Sequence, residues 1–447
     1  MVKLLRRVLG DKFFQSTAVV AFFNLLAGLL NLVVKVYLGR NLSKDSFGLL
    51  NSVLSGSLVL SVLVMAMRYR YIEEYCASLQ KADYKALFYQ IRHFMIEAVL
   101  FCLPVTLFLY FYKKVITDIF RINNPLVLVI FLVIVFFLFI KTPVSSFLQG
   151  AGEFAKFAAT AFLVAVFKTL TVAYCILTGL TFNQVLVIFG VSAFLGFFFS
   201  FFFQTVWLRR FFSLMQQVKF FFTMKSVSRA GYFRREQLMS ITRYLSGTAL
   251  FILFFNTDIL LVRSLFKNTA SSGNYAFASI IGVSMFHLCK IIITVLMPDV
   301  VKARLDDKNT FRILKKGLLM VLLVAGSVVL FFNIFLCFPA AVKRITHQYG
   351  DAIPLFRWYS FAILPFVLNS ILITFYTAMK RFKILYLLLF FPVLQIVLII
   401  LLNNGPEQSL YRVVEVNMGI GITMLLLLAG DLYRVSRRTK NTFKKNK

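Results

Sequence analysis

Residues 125–154 read PLVLVIFLVIVFFLFIKTPVSSFLQGAGEF, and that stretch decides the class of fold. From 124 to 148 the only charge is Lys141. An α-helix needs about 20 apolar residues to cross the hydrocarbon of a bilayer. The Gln149–Glu153 segment that follows, QGAGE, is turn chemistry, and another apolar run begins directly after it.

Working outward, runs of the same kind fall at 14–38, 46–67, 88–112, 124–148, 156–179, 183–207, 238–264, 273–298, 314–338, 356–379, 384–403 and 410–432. Composition agrees. The chain is 60% hydrophobic and only 15% charged, with 54 Phe and a mean hydropathy of +0.84. A water-soluble core could not hide that much apolar surface, since soluble domains run near half apolar and a quarter charged. The expected fold is an all-α polytopic membrane protein of about twelve transmembrane helices. The basic start, MVKLLRRVLGDKFF, leads into a run too long for a signal peptide, so it reads as a retained first span. Pro104, Pro143, Pro365 and Pro392 fall inside spans and are expected to kink them.

The net charge of +32 could suggest nucleic acid, but its placement excludes that reading. Most Lys and Arg residues sit in short loops of one parity. These loops carry Arg68, Arg70, Lys81 and Lys85; the long 208–237 segment; Lys302 to Lys316; Lys380, Arg381 and Lys383; and the tail from Arg434 to Lys447. The positive-inside rule puts that side, and both termini, in the cytoplasm of a cell (inner) membrane. The five cysteines show no CxxC spacing and no His partner at ligand distance, so no disulfide framework, metal site or cofactor is implied. No catalytic motif stands out.

The 208–237 segment divides the spans six and six. We therefore expect an N-terminal lobe over 1–207, a basic cytoplasmic linker over 208–237 and a C-terminal lobe with a basic tail over 238–447. Two matches suggest an internal repeat. FLQGAGEF (147–154) pairs with FYTAMKRF (375–382) at an offset of 228, and Gly48 pairs with Gly273 at 225. Six is even, so the repeat is parallel, about an axis along the membrane normal.

Charges inside spans carry the functional signal, because each costs about 2.5–3.5 kcal/mol at a helix centre. Thr17, Asn24, Asn31 and Lys35 form one stripe on span one. Lys141 has Ser145 a turn on, and Lys168 has Thr171. Arg243 shares a face with Gly247 and Thr257, and His287, Lys290 and Thr294 share another. Lys35 and Lys290 also lie near enough to span ends to snorkel. Glu97 stands alone in span three. Asp258 in span seven has a pairing role and a coupling role open to it, and Arg412 and Glu415 are spaced to pair with each other. Five deep bases (Lys35, Lys141, Lys168, Arg243, Lys290) outnumber the deep acids. A cationic cavity of that kind selects an anion such as a phosphate or pyrophosphate headgroup. Asn24, Asn31 and His287 are its candidate polar lining, and Glu97 and Asp258 are the candidate coupling residues.

The chain resembles polysaccharide (O-antigen type) flippases of the Wzx kind, in the multidrug/oligosaccharidyl-lipid/polysaccharide exporter (MOP) superfamily. YLGRNLSKDSFGLLNSVLSGSLVLSVLVMAMRYRYIEE (37–74) is similar to that family's opening hairpin. In 256–298, Asn256 and Asp258 match its n-D-i-l-l element, Gly273–Tyr275 its G-x-Y turn, and Met297–Pro298 its helix close. LQGAGEF and YTAMKRF match its short cytoplasmic turns. The resemblance implies a V-shaped pair of six-helix lobes and alternating access. It implies a lipid substrate, an undecaprenyl-pyrophosphate-linked oligosaccharide (O-antigen, capsule or exopolysaccharide repeat unit) moved from the cytoplasmic to the outer leaflet. The five bases would hold the pyrophosphate, and the partners would be membrane lipids, a polysaccharide polymerase and glycosyltransferases. A cation-coupled multidrug exporter on the same fold is the main alternative, kept open by Glu97 and Asp258. An integral-membrane enzyme of polysaccharide assembly, a ligase or glycosyltransferase, would need a large soluble loop or a carboxylate-rich site, and neither is present.

Overall fold

The computed structural model describes residues 12–81, 83–122, 124–209, 245, 253, 256–266, 268–305, 309–338, 347–404 and 408–445. Every regular element among them is helical. The first half holds α1 (Lys12–Asn41), α2 (Lys44–Gln80), α3 (Tyr84–Phe111), the short α4 (Lys113–Phe120), α5 (Pro125–Gly150), α6 (Phe154–Thr178) and α7 (Phe182–Leu208). The second half opens with a helical segment over 256–265. It continues with α8 (Thr269–Leu305), α9 (Thr310–Phe335), a 3-10 turn (His347–Ala352), α10 (Ile353–Ala362), α11 (Leu364–Ala378), α12 (Phe382–Leu388), α13 (Phe390–Asn403) and α14 (Leu410–Lys445).

Ten helical stretches among the described residues are long and apolar enough to cross a membrane. The expected eighth span lies within α8, while most of 238–264 and the linker from 210 onward lie outside the described residues. Large apolar side chains point outward along the helices, among them Phe22, Leu177, Phe198, Leu323, Phe331 and Leu426. That arrangement suits lipid as the surrounding solvent.

Local chemistry starts the helices where side chains can satisfy orphan N–H groups. Ser43 accepts from the Ser46 N–H, Asp83 from the Ala86 N–H, and Asn124 from the Leu126 N–H just ahead of Pro125. Thr181 and Gln184 form a full capping box at α7. Of the four expected kinks, Pro365 marks the break between α10 and α11, and Pro392 follows the break between α12 and α13. Pro104 and Pro143 sit within single helices, α3 and α5.

One boundary needs correcting. Hydropathy ends the second span at 67 and leaves Arg68 and Arg70 in a loop, but α2 continues to Gln80. The helix can run on because Arg70 is neutralised inside the protein, 2.7 Å from both Glu74 and Glu97. Hydropathy alone stops the span too early.

The parallel repeat is visible in the helix bounds and hydrogen bonds. Helices α2 and α8 each have 37 residues and start one residue after a polar turn residue, Ser43 or Asn268. The turn after α5 bonds Ala151 N–H to Phe147, Gly152 N–H to Gln149 and Glu153 N–H to Leu148. The turn after α11 repeats this with Met379 to Phe375, Lys380 to Thr377 and Arg381 to Tyr376. Gly152 and Lys380 hold equivalent left-handed positions, at φ 77° and 57°.

In the first half, α5 packs against α2, α3 and α7, and α1 lies along α6. In the second, α8 packs against α9, α10 and α11, while α14 covers α10, α11 and α13. The halves meet where α8 lies against α1 and α2. Helix α2 carries residues of both ion-pair contacts described below, near its two ends. The face rich in Lys302, Arg304, Lys380, Arg381 and Lys383 is called the basic face here.

Candidate functional site

Three of the five expected bases come together in the first half, with a fourth that hydropathy places in a loop. Lys168 of α6 donates to Asn31 Oδ1 of α1 at 2.5 Å. The Asn31 amide nitrogen donates back to the Ala27 carbonyl at 2.7 Å, which leaves its oxygen aimed at Lys168. The Lys168 ammonium also lies over the Phe189 ring, 5.5 Å from its centroid. Lys141 of α5 reaches α7 at Gly196, where a Cβ would lie 3.1 Å from its Nζ. Gly196 thus leaves room for the ammonium.

Lys168 is within charge range of Lys35 and Lys141, and Lys141 is within range of Arg68. Arg68 stacks over Phe157 at 5.2 Å, with Met65 Sδ 3.8 Å from its Nη1. Among the described residues, none of these four cations pairs with a carboxylate. Asn24 donates to the Val20 carbonyl of its own helix at 2.9 Å. Arg243 and the side chains of His287 and Lys290 lie outside the described residues.

The two candidate coupling acids differ. Glu97, alone by sequence, is paired in the structure. It is 2% exposed and bound to Arg70 at 2.7 Å, with His93 Nε2 3.9 Å from its other oxygen. The sequence hides this pair because hydropathy assigns Arg70 to a loop. Asp258 is fully buried, and among the described residues no base is one of its hydrogen-bond partners. Its carboxylate accepts from Tyr275 OH at 2.7 Å, Asn417 Nδ2 at 2.9 Å, Tyr359 OH at 3.4 Å and the Ile259 N–H at 2.8 Å. Gln395 donates in turn to Asn417 Oδ1 at 2.7 Å. These oxygens and amides could hold a proton or a small hard cation, which prefers oxygen ligands. Polar residues in apolar spans are the available signal for this cradle, and of its neutral members only Tyr275 falls in a stretch that the sequence singles out. Arg412, expected to pair with Glu415, donates to the Leu402 carbonyl at 3.0 Å.

Among the described residues, an ion-pair contact joins the halves near each end of α2, and Tyr69 of α2 meets the Thr374 hydroxyl of α11 at 3.5 Å. Away from the basic face, Arg263 is 1% exposed and donates to Asp45 Oδ1 at 2.5 Å, Ser272 Oγ at 3.3 Å and the Phe120 carbonyl at 3.3 Å. Beside it the repeat-related glycines abut. A Cβ on Gly273 would lie 2.5 Å from the Lys44 carbonyl oxygen, and one on Gly48 would strike Ser272. At the basic face, Glu73 Oε1 takes Arg304 at 2.8 Å and Lys380 at 2.7 Å, and Arg304 also bonds the Ala378 carbonyl. Asp45 and Glu73 are 28 positions apart, about 42 Å along a helix, which matches a bilayer with its headgroups.

No protein-family model matches the sequence, and no curated protein matches it. Solved structures do. A multidrug resistance MATE family transporter of the MOP superfamily in an outward-facing conformation superposes with a TM-score of 0.69 at 13% identity, covering 96% of this chain and 98% of that one. The eukaryotic MATE transporter AtDTX14 gives 0.70 at 15% identity over 95% and 96%. A point mutant of the Vibrio cholerae MATE transporter VcmN gives 0.66 at 12% over 94% and 96%. The chain has the fold of MATE transporters of the MOP superfamily.

Proposed function

We propose that this chain is a membrane transporter that works by alternating access and carries an anionic amphiphile. The reading rests on one observation: four cations gather in the first half with no carboxylate among the described residues to neutralise them. Like charges held together in low dielectric repel strongly, and the arrangement gains stability when a ligand supplies the negative charge. A pyrophosphate-linked, lipid-anchored oligosaccharide fits, with its headgroup on the bases, its sugars on Asn31 and its neighbours, and its tail between the halves in lipid. Under the positive-inside rule the basic face is cytoplasmic. Transport would run from that face to the other, and a polysaccharide polymerase and glycosyltransferases would be the partners there.

A cation-coupled multidrug exporter is the second reading, and the solved structures speak for it more directly, since one of them is a multidrug resistance transporter. Asp258 also favours it. A buried carboxylate whose partners among the described residues are all neutral is the kind of group that takes up a coupling proton or cation. Both readings share the fold and the gating and differ in cargo. The test is transport by the purified chain in proteoliposomes, offering either a fluorescent polyprenyl-pyrophosphate oligosaccharide or a cationic dye. We expect the anionic lipid to move and Lys168→Gln with Lys141→Gln to abolish that movement. Dye movement alone, unaffected by those changes, would reject the anionic cargo.

A further inference from the structure

The basic-face contact has a charge balance of its own. A single carboxylate oxygen, Glu73 Oε1, receives both the Arg304 guanidinium and the Lys380 ammonium. Arg304 comes from the end of α8 and Lys380 from the turn after α11, so this oxygen ties α2 to two elements of the other half. Two cations facing one carboxylate are better matched by an anion with more charge and more oxygens, such as a phosphate. Arg304 is further fixed by its bond to the Ala378 carbonyl, which orients its fork toward Glu73.

Lys380 holds its place against the preference of its backbone. It sits at φ 57°, where its repeat equivalent is Gly152 at φ 77°. A left-handed conformation costs a non-glycine residue about 1–2 kcal/mol, and glycine would make the same turn at less cost. The lysine at this position places an ammonium beside Glu73, which a glycine could not do. The Lys380 side chain is half exposed, at 53%. Arg263, at the other end of α2, is buried.

We propose that Arg304 and Lys380 form an intake site for the phosphate of a lipid-linked headgroup. Glu73 is the built-in anion that occupies this site until the headgroup displaces it and unlatches the halves at the basic face. The inference rests on the anionic-cargo reading. Without cargo, Glu73 keeps that face closed. An arriving phosphate exchanges for the carboxylate oxygen and frees α2 from α8 and α11, and the headgroup can then pass to the mid-membrane bases.

The test uses the full chain in lipid nanodiscs, with spin labels at Gln80 and Lys383 in a Cys337→Ser background and inorganic pyrophosphate as the probe. The wild-type label distance should lengthen with pyrophosphate and not with chloride at equal ionic strength. Glu73→Gln should be long from the start and bind pyrophosphate severalfold more tightly by calorimetry. Lys380→Gly copies the turn of the first half and should fold. It should bind severalfold more weakly and lose the distance response. A Glu73→Gln protein that stays closed overturns the proposal. So does a wild-type distance that ignores pyrophosphate while calorimetry registers binding that Lys168→Gln removes, and in that case the anionic cargo still stands. If neither wild type nor Glu73→Gln binds pyrophosphate, the cargo reading fails and this proposal fails with it.

Discussion

Gly273→Ala tests the contact away from the basic face with one methyl group. The added Cβ would lie 2.5 Å from the Lys44 carbonyl oxygen and 3.1 Å from its carbon. Carbon–oxygen contacts are comfortable from about 3.3 Å, so α2 and α8 must part by about 0.8 Å at that point. The obstacle is backbone, so no rotamer change relieves it. Overpacking of this kind costs about 1–3 kcal/mol. Parting the helices also stretches the pair between buried Arg263 and half-exposed Asp45, now at 2.5 Å. A cost near 2 kcal/mol borne only by the state closed at this end shifts the open-to-closed ratio about 30-fold, since 1.4 kcal/mol is a factor of ten. The assay is a pulsed spin-label distance between Asn41 and Ala270 in nanodiscs. Gly28→Ala serves as control, because a Cβ there meets nothing within 4 Å. We expect the Gly273→Ala distribution to move to longer distances and the control to match wild type. If Gly273→Ala also matches wild type, the glycine contact does not close this end.

Three further outcomes follow from the buried charges. Glu97→Gln should lower stability in detergent, because among the described carboxylates it leaves the buried Arg70 with Glu74 alone; removing one partner of a buried pair costs about 3–5 kcal/mol, and thermal unfolding reads it. Replacing Arg70 by Met and Glu97 by Leu together should restore much of that loss, and no recovery would mean that the pair is not what matters. Asp258→Asn keeps the size and most of the hydrogen bonds of its cradle, so folding should survive while ion-gradient dependence of transport disappears. Gradient-driven transport at the wild-type rate would remove Asp258 from coupling. Gly196→Ala should press on the Lys141 ammonium, 3.1 Å from the new methyl, and weaken pyrophosphate binding severalfold by calorimetry, whereas Gly419→Ala, in open space, should not.

The fold is legible because its main determinant is local. Twenty apolar residues in a row need no partner to declare a membrane helix, and the QGAGEF and AMKRF turns keep the same hydrogen bonds in the structure. What stays hidden depends on pairing across the sequence. Arg70 looks like a loop residue because hydropathy counts its charge and cannot count Glu97, 27 positions away, which neutralises it. Arg68 is lost with it, although it sits by Lys141 and Phe157. The Asp258 cradle draws Tyr275, Tyr359 and Asn417 from three different helices, and single hydroxyls and amides in apolar spans look alike until they converge. Lys35, Lys141 and Lys168 are readable because a charge inside a span is costly enough to stand out.

The repeat supplies an argument about what the charges are for. Helices α2 and α8 correspond residue for residue at an offset of 225, and the turns after α5 and α11 at 228. At those offsets Lys141 corresponds to Asn369, Arg68 to Ile293, Lys168 to Ile396 and Lys35 to Leu260. In the other direction, Asp258 corresponds to Val33. Asn369 spends its amide on the Gly421 carbonyl at 2.9 Å, a bond that braces α11 against α14. The second half therefore carries apolar or neutral residues at the positions equivalent to the four bases, and the first half carries Val33 where the second has its buried acid. A frame that needed those charges to fold would need them in both halves. Four cations inside spans cost about 10 kcal/mol together on insertion scales, the size of a whole protein's net stability. A cost that the shared architecture does not require is one that the proposed anionic ligand would offset in the first half, leaving Asp258 of the second free of any part in holding the anion.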